Sequence, residues 1–549
     1  MIKPDGRLSD DLDPYDQPPR DACGVFGAWS PGEDVAKLAY FGLYALQHRG
    51  QESAGIAVSD GQRIVVYKDM GLVPQVFDES VLNTLRGHMT VGHCRYSTSG
   101  SSVWANAQPT FRATPTTSLA LGHNGNLTNT LELAALAGAR AVGPDQATSD
   151  TDVLTALFAA PTAPPQDVLP GMPGDVTAAG GGSGLAAGGQ GAPPDGTGSV
   201  PGDGELPGTG AAPGDGALPA RVGSVELGAM ATLPLVRGAF SLVFMDERTL
   251  YAARDPQGFR PLVIGRLPRG WVVASETAAL DIVGATFFRE VEPGELVAID
   301  ERGLRSRTFA APKPRGCLFE HVYLARPDTT LSGRSVQATR VAVGQRLAAE
   351  HPADADLVIP VPESGTPAAI GYAQASGIPY GQGLVKNSYV GRTFIQPSQT
   401  IRQRGIRLKL NPLRDVIAGQ RVVAVDDTIV RGNTQRAIVS MLREAGAAEV
   451  HIRISSPPVA WPCFFGIDFA TRAELLAGSL SVEEIRESIG ADSLGFVSLA
   501  GLIEATTLPA GELCQACFTG KYPVPVAMAE QGKYVLEAAG SRAGGSRAR

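Results

Sequence analysis

One stretch of thirteen residues limits the fold of this chain more than any other: Val422-Val423-Ala424-Val425-Asp426-Asp427-Thr428-Ile429-Val430-Arg431-Gly432-Asn433-Thr434. The apolar run is too short and too β-branched for a helix, and nothing in it alternates with polar residues. It therefore reads as a strand buried on both faces, as in a parallel sheet. The two acids fall at its carboxyl end, where open α/β sheets bind their ligands. Thr428, Gly432 and Thr434 follow on a tight loop that leads into a helix from Gln435 to Val439. Small residues let backbone N–H groups approach a phosphate, and the helix dipole favours its charge. Acids that can accept ribose hydroxyls, set beside a phosphate cradle, suit a sugar phosphate. An acid pair at a strand end is common in α/β proteins; the full run is the specific signal.

The 549 residues suffice for two or more domains with substantial cores. A net charge of -8 from 47 basic and 55 acidic residues gives no sign of nucleic-acid or membrane binding. No apolar run approaches a membrane span. Met1 to Arg20 is polar, acidic and proline-containing, without the basic start and apolar core of a secretory signal. A cytoplasmic location is expected. Six cysteines in such a length do not suggest a disulfide framework.

Residues from about 160 to 220 are almost all Gly, Pro, Ala, Asp, Ser and Thr. No Lys or Arg lies between Arg140 and Arg221, and no aromatic between Phe158 and Phe240. Such a stretch cannot bury enough apolar area to offset its ordering entropy, and a disordered insertion is expected. Strand-like sequence resumes beyond it, with Phe240–Met245 and Leu250–Ala253 forming a hairpin around Asp246-Glu247-Arg248. The first domain is thus strand-rich, with helices near Val35–Leu46 and Asp152–Phe158. From about Cys317, strands (Asp356–Pro362, Arg421–Val425) alternate with helices (Val336–His351, Asn433–Ala445), which predicts a parallel α/β sheet. The expected division is a dispensable segment 1–22, a first domain 23–300, a second 301–533, and a frayed tail 534–549.

The run at 422–434 resembles the 5-phosphoribosyl-1-pyrophosphate (PRPP) motif of type I phosphoribosyltransferases. The resemblance implies PRPP binding by Asp426, Asp427, Thr428, Arg431, Gly432 and Thr434. Val361-Pro362-Glu363-Ser364-Gly365-Thr366 follows a strand and resembles the pyrophosphate loop of that family, implicating Ser364 and Gly365. The segment Lys386–Ile395 resembles the mobile loop that closes over PRPP, with Lys386 and Arg392 meeting the diphosphate. Mg²⁺ prefers oxygen ligands shared with phosphates and water, and Ser364, Asp426 and Asp427 are the groups expected around it.

Five further segments belong together: Asp21–Trp29 with Cys23, Gln47–Gly55, Gly92–Thr98, Gly122–Leu127 and Thr148–Asp152. They resemble the class II glutamine amidotransferases, whose glutaminase domain is an N-terminal nucleophile hydrolase. There a first-residue cysteine attacks the glutamine amide and its own α-amine is the base; such an amine titrates near pH 7.7–8.0. The chemistry requires removal of Met1 to Ala22. By resemblance, Asn124 (side chain) and Gly125 (backbone N–H) form the oxyanion hole. Arg95 holds the substrate carboxylate and Asp150, in preference to Asp152, the ammonium. Alone, Asn124-Gly125 is a hairpin-turn signature. Cys94 is expected as a packed core thiol. Arg254–Leu262 and Ser275-Glu276 also match the family and are expected to be structural, near the glutamine pocket.

Cys317, Cys463, Cys514 and Cys517 contain one C-x₂-C pair and two distant singles, unlike the paired spacing of a zinc ribbon. By residue type alone, zinc and an iron–sulfur cluster both remain open, as do unligated core thiols. Their flanks resemble the [4Fe–4S] ligand sites of the clustered branch of the glutamine PRPP amidotransferase family, which implies a structural cluster and oxygen-dependent stability.

From Cys23 to about Lys533 the whole chain resembles that family. The resemblance implies an αββα N-terminal-nucleophile sandwich followed by an α/β phosphoribosyltransferase domain. It implies that ammonia from glutamine passes through an enclosed channel to C1 of PRPP, giving 5-phosphoribosylamine, glutamate and pyrophosphate, the first step of purine synthesis. Inhibition by purine nucleotides and a homotetramer are implied as well. The 160–220 insertion departs from the pattern but touches no motif. The alternatives are another class II amidotransferase, against which the Asp426-Asp427 run argues, and a non-catalytic PRPP or nucleotide sensor, which has no need of Cys23, Arg95, Asn124 and Asp150 together.

Overall fold

Two antiparallel sheets face each other in the first domain. The computed structural model describes residues 23–96, 100–114, 117–138, 148–159, 224–387, 409–467 and 472–526. The segment 1–22, the insertion, the tail and Arg392 lie outside these. Among the described residues, one sheet has seven strands: β1 (Gly24–Trp29), β2 (Ser53–Ser59), β3 (Ile64–Met70), β4 (Met89–Arg95), β9 (Val263–Leu267), β10 (Gly270–Ala274) and β11 (Thr286–Glu290), in the order β11-β9-β10-β1-β4-β2-β3. The other has six: β5 (Thr110–Ala113), β6 (Ser118–Leu127), β7 (Gly238–Met245), β8 (Leu250–Arg254), β12 (Glu295–Asp300) and β13 (Gly303–Thr308), in the order β13-β12-β8-β7-β6-β5.

The strands alternate which face they bury, as a period of two requires. Val25 of β1 points between the sheets, where it joins Val91, Ala120, Val243 and Val297. Its neighbour Phe26 points outward to Leu43 and Ala39 of helix α1 (Val35–Ala45). On the far face of the six-stranded sheet, Leu242 and Phe244 pack on α2 (Asp150–Ala159) and α3 (Ser224–Thr232) through Leu154, Phe158 and Val225. Three apolar layers thus alternate with two sheets, giving the αββα sandwich. The Asn124-Gly125 pair lies inside β6, with Asn124 opposite Ser241, and not in a turn.

The boundary expected at residue 300 moves. The turn after Asp300 returns the chain as β13, which pairs along β12, so the first domain runs through Thr308.

In the second domain, β15 (Leu357–Pro360), β16 (Arg421–Asp426), β17 (Glu449–Ile454) and β18 (Ser493–Phe496) form a parallel sheet in that order. Val423 and Val425 face α4 (Val336–Glu350) and α5 (Thr366–Ser376), while Val422 and Ala424 face α6 (Asn433–Glu444). Both faces are covered, which is why the run carries no polar alternation. A short parallel bridge joins β14 (Gly316–Cys317) to β19 (Leu513–Cys514). No helix among the described residues is long and apolar enough to cross a membrane.

Candidate active sites

Cys23 stands just ahead of β1, buried, and its Sγ lies 3.1 Å from the Tyr96 carbonyl at the end of β4. Burial pushes the Cys23 thiol up to about 12, against the pull of the nearby Arg95 guanidinium. A thiol held neutral in this way needs a base beside it, the role an α-amine on the same residue can fill. Arg95 ends β4; its Nη1 is 3.6 Å from Glu52 and 3.4 Å from the Ser101 carbonyl. Asn124 is fully buried on β6, and among the described residues neither its amide nitrogen nor its oxygen has a hydrogen-bond partner. A buried amide left unsatisfied costs stability, so its presence fits a group kept for an incoming oxyanion. Gly125 has φ +152°, and a Cβ there would lie 2.0 Å from the Ala239 carbonyl oxygen, so only glycine fits.

Asp150 begins α2. It accepts from the Leu127 N–H at 3.2 Å and the Thr151 N–H at 2.9 Å, and its Oδ1 is 3.8 Å from His123 Nδ1. Burial alone would raise its carboxyl, but the His123 ring and these amides outweigh it and hold Asp150 below the ordinary carboxylate range. Asp152 instead meets Arg112 at 3.4 Å. Cys94 is buried, with its Sγ against the Leu46 carbonyl at 3.3 Å. Cys23, Arg95, Glu52 and Asp150 lie close enough to act on the same thiol.

In the second domain, Asp426 closes β16 and Asp427 follows, both buried. Ser364 Oγ donates to Asp427 Oδ1 at 2.6 Å, bringing the 361–366 loop to the acid pair. Burial and the Asp427 charge push the Asp426 carboxyl well above its usual range. Gly365 caps α5, and Gly432 (φ +76°) caps α6, so two helix N-termini open beside the acids. Thr428 is buried, Thr434 is exposed on the first turn of α6, and Arg431 pairs with Glu474 at 3.5 Å. Lys386 is exposed and lies 3.4 Å from Glu363 of the 361–366 loop.

The four late cysteines converge. Cys317 and Cys514 are register partners in the β14–β19 bridge, and Cys517 follows on a helical turn, Ala516–Thr519. Burial pushes the Cys317 thiol up to about 11 and raises those of Cys514 and Cys517 as well, and each of the three is affected by Cys463. No group of three or more His, Cys, Asp or Glu side chains among the described residues is placed to hold a single metal ion.

Several residues escaped sequence reasoning. Gln435 Nε2 donates to Asp426 Oδ2 at 2.8 Å and to the Thr428 carbonyl at 3.1 Å, bracing the acid loop. Glu52 bears on the Cys23 thiol and His123 on Asp150; each sat inside a quoted segment with nothing in its spacing to mark it. A fully buried ionic cluster joins the two domains. Arg49 pairs with Glu276 and, at 2.7 Å, with Glu320, which also meets Arg260 at 3.1 Å. Glu276 further accepts from His48 Nε2 at 2.7 Å and Thr329 Oγ1 at 2.6 Å.

Comparison with known proteins bears on both halves. The phosphoribosyl transferase domain family matches residues 335–455, and a glutamine amidotransferase domain family matches residues 223–281. The amidophosphoribosyltransferase of Mycobacterium tuberculosis is 57% identical over 532 residues, covering 94% of this chain and 90% of that protein. That of Bacillus subtilis is 42% identical over 513 residues, covering 92% and 94%. A solved structure of the allosteric regulatory enzyme of purine biosynthesis superposes with a TM-score of 0.78 at 41% identity, covering 94% of this chain and 99% of that one. The B. subtilis glutamine PRPP amidotransferase complexed with ADP and GMP gives 0.76 at 41% identity, covering 92% and 98%. With likeness running through both domains and nearly end to end, the chain belongs to the amidophosphoribosyltransferase family.

Proposed function

We propose that this chain transfers ammonia from glutamine to C1 of PRPP, giving 5-phosphoribosylamine, glutamate and pyrophosphate, as the opening step of purine biosynthesis. The observation that carries this is the presence, in one chain, of buried Cys23, Arg95, Asn124 and Asp150 side chains in the sandwich and a separate acid pair between two helix N-termini. After removal of residues 1–22, the α-amine of Cys23 takes the thiol proton. The sulfur attacks the glutamine amide carbonyl, and Asn124 and the Gly125 N–H hold the oxyanion. Arg95 and Asp150 hold the amino-acid end. The tetrahedral adduct expels ammonia to leave a thioester, which water cleaves to glutamate. Ammonia, kept from solvent by an enclosed path, displaces pyrophosphate from C1 with inversion. Asp426 and Asp427 take the ribose hydroxyls, and the 428–434 loop takes the 5′-phosphate. Ser364, Gly365, Lys386 and Arg392 serve the diphosphate.

Oxygen groups from Ser364, Asp426 and Asp427 would hold Mg²⁺, which when bound would neutralise diphosphate charge. The four thiols suit a [4Fe–4S] cluster. Cys317, Cys463, Cys514 and Cys517 are the groups that would hold the cluster, and its contribution would be structural. A homotetramer in the cytoplasm, inhibited by purine nucleotides, completes the proposal.

The test is a paired assay on processed, anaerobically purified protein: glutamine-dependent and ammonia-dependent release of pyrophosphate from PRPP. Release with both donors is expected. Glutamine hydrolysis with no PRPP turnover points to another amidotransferase. No release with either donor, and no glutamine hydrolysis, points to a sensor.

A further inference from the structure

Strand β6 carries the oxyanion hole, and its next residue reaches out of the domain. Asn126 Nδ2 donates to the Phe464 carbonyl at 3.1 Å. Phe464 lies in the loop Cys463-Phe464-Phe465-Gly466, which belongs to the second half of the chain and starts at one of the four converging thiols. Two residues on, Gly466 (φ +97°) sits against Gly125 itself. A Cβ at Gly466 would lie 3.1 Å from both Gly125 Cα and its carbonyl carbon, and 3.3 Å from Arg260 Nη2. Between these contacts, Arg260 Nε and Nη2 both donate to the Phe465 carbonyl, at 2.9 and 2.7 Å. Arg260 is fully buried and anchored on Glu320 at 3.1 Å. The Phe465 ring stacks on Phe259 at 4.3 Å between centroids. The remaining face of Gly125 is closed by Ala239.

We infer that the 463–466 loop, held by Asn126 and Arg260, is a positioning element of the glutaminase oxyanion hole, fixing the peptide at Gly125 from the transferase side. Backbone donors stabilise an oxyanion only when aimed at the place where its charge develops, and misplacement of about 1 Å costs on the order of 10²-fold in rate. A φ of +152° at Gly125 is a conformation only glycine holds freely, and glycine is the least restrained residue. The second domain supplies the restraint. Asn126 and Arg260 act through Gly125 and touch no substrate. The assignment rests on the amidophosphoribosyltransferase reading, because it presumes a glutamine oxyanion at Asn124 and Gly125.

The test uses the processed full-length protein with Asn126→Ala and, independently, Arg260→Lys, which keeps the buried charge facing Glu320 but loses the fork on Phe465. Three quantities are measured: glutaminase kcat and KM, ammonia-dependent transfer to PRPP, and inactivation by 6-diazo-5-oxonorleucine, whose ketone must enter the same hole. Iodoacetamide, which alkylates Cys23 without it, is the control. The expected result is a glutaminase kcat lower by about tenfold to a hundredfold. KM stays within about twofold, the diazoketone's limiting rate falls in step, and iodoacetamide and ammonia-dependent rates do not change. Unchanged kcat in both variants overturns the inference. So does a parallel fall of the ammonia-dependent rate or a rise in KM alone, which would mark a merely structural loop. Wild-type protein lacking both activities would sink the functional reading itself, a separate outcome.

Discussion

Ser364 and Asp427, 63 residues apart, are joined by a 2.6 Å hydrogen bond across the carboxyl ends of two neighbouring parallel strands. The bond sets the 361–366 loop against the acid pair. Ser364→Ala is expected to raise the KM for PRPP at least about tenfold, the equivalent of one charge-assisted hydrogen bond. Glutamine hydrolysis, which occurs in the other domain, should not change. Initial-rate kinetics with each substrate varied in turn measures both.

Asn124 carries two polar atoms that find no partner among the described residues, in a fully buried position. Asn124→Ala is therefore expected to move activity and stability in opposite directions. Glutaminase kcat should fall by about 10²–10³, the worth of one oxyanion donor. Stability should rise by about 1–3 kcal/mol, the cost of leaving such a group unpaired. Chemical denaturation read beside the kinetics tests the pair; a destabilised variant would show that the amide has a structural partner.

Asp426 pairs poorly with ionisation. Its folded-state pKa is raised, by burial first and by Asp427 second, so the free protein binds a proton there that the unfolded chain releases at lower pH. Stability from that proton is full below the ordinary carboxyl range and is lost as pH climbs through the raised value. Asp426→Asn removes the ionisation while keeping a polar group beside Gln435. The variant should be more stable than wild type at pH 8. The advantage grows by about 1.4 kcal/mol for each pH unit between the ordinary and the raised value, and closes toward pH 4. Transfer to PRPP should be abolished. Urea unfolding across pH gives the first result, and the transfer assay the second.

Glu320 is the acid shared by two fully buried guanidinium groups, Arg49 and Arg260. Burial opposes its charge, yet Arg49 and Arg260 hold its carboxyl below the usual range. Glu320→Gln leaves both cations short of negative charge and should cost about 3–5 kcal/mol. Arg49→Met combined with Glu320→Gln should cost less than the sum of the two changes made singly. Unfolding in a double-mutant cycle measures this; strict additivity would argue that the cluster does not act as a unit.

Raised thiols bind metal with release of protons. For Cys317, Cys514 and Cys517, burial comes first among the causes. Anaerobically purified protein should contain about four iron atoms per chain and absorb visible light. Removing the metal, or Cys463→Ser, should bleach that absorbance and lower the melting temperature. Zinc in place of iron would overturn the cluster while leaving the transferase proposal standing.

How far the sequence could be read depended on whether the signal was local. Val422 to Val425 declared a strand with two buried faces because no residue in it was polar, and the acids after it could only fall at the sheet's carboxyl edge. The sandwich was legible as strands, but not its extent, since nothing at Glu301-Arg302 distinguishes a hairpin from a domain end. Asn124-Gly125 read locally as a turn, and only its company corrected that. The bracing of Asp426 by Gln435, the sharing of Glu320 and the seating of Gly466 on Gly125 were not legible. Each joins residues whose types are unremarkable where they stand and whose meaning comes from a partner far along the chain.

Cys317 and Cys514 face each other across a parallel bridge, yet they are made far apart in time. A chain synthesised from its amino end completes the glutaminase sandwich at Thr308 and the transferase sheet at Phe496 before Cys514 and Cys517 exist. The thiol set is thus the last of the described parts to be finished. Its assembly can serve as proof of a completed molecule: a polypeptide broken off after Phe496 but before Leu513 has the strands of all three sheets and still lacks the partner of Gly316–Cys317.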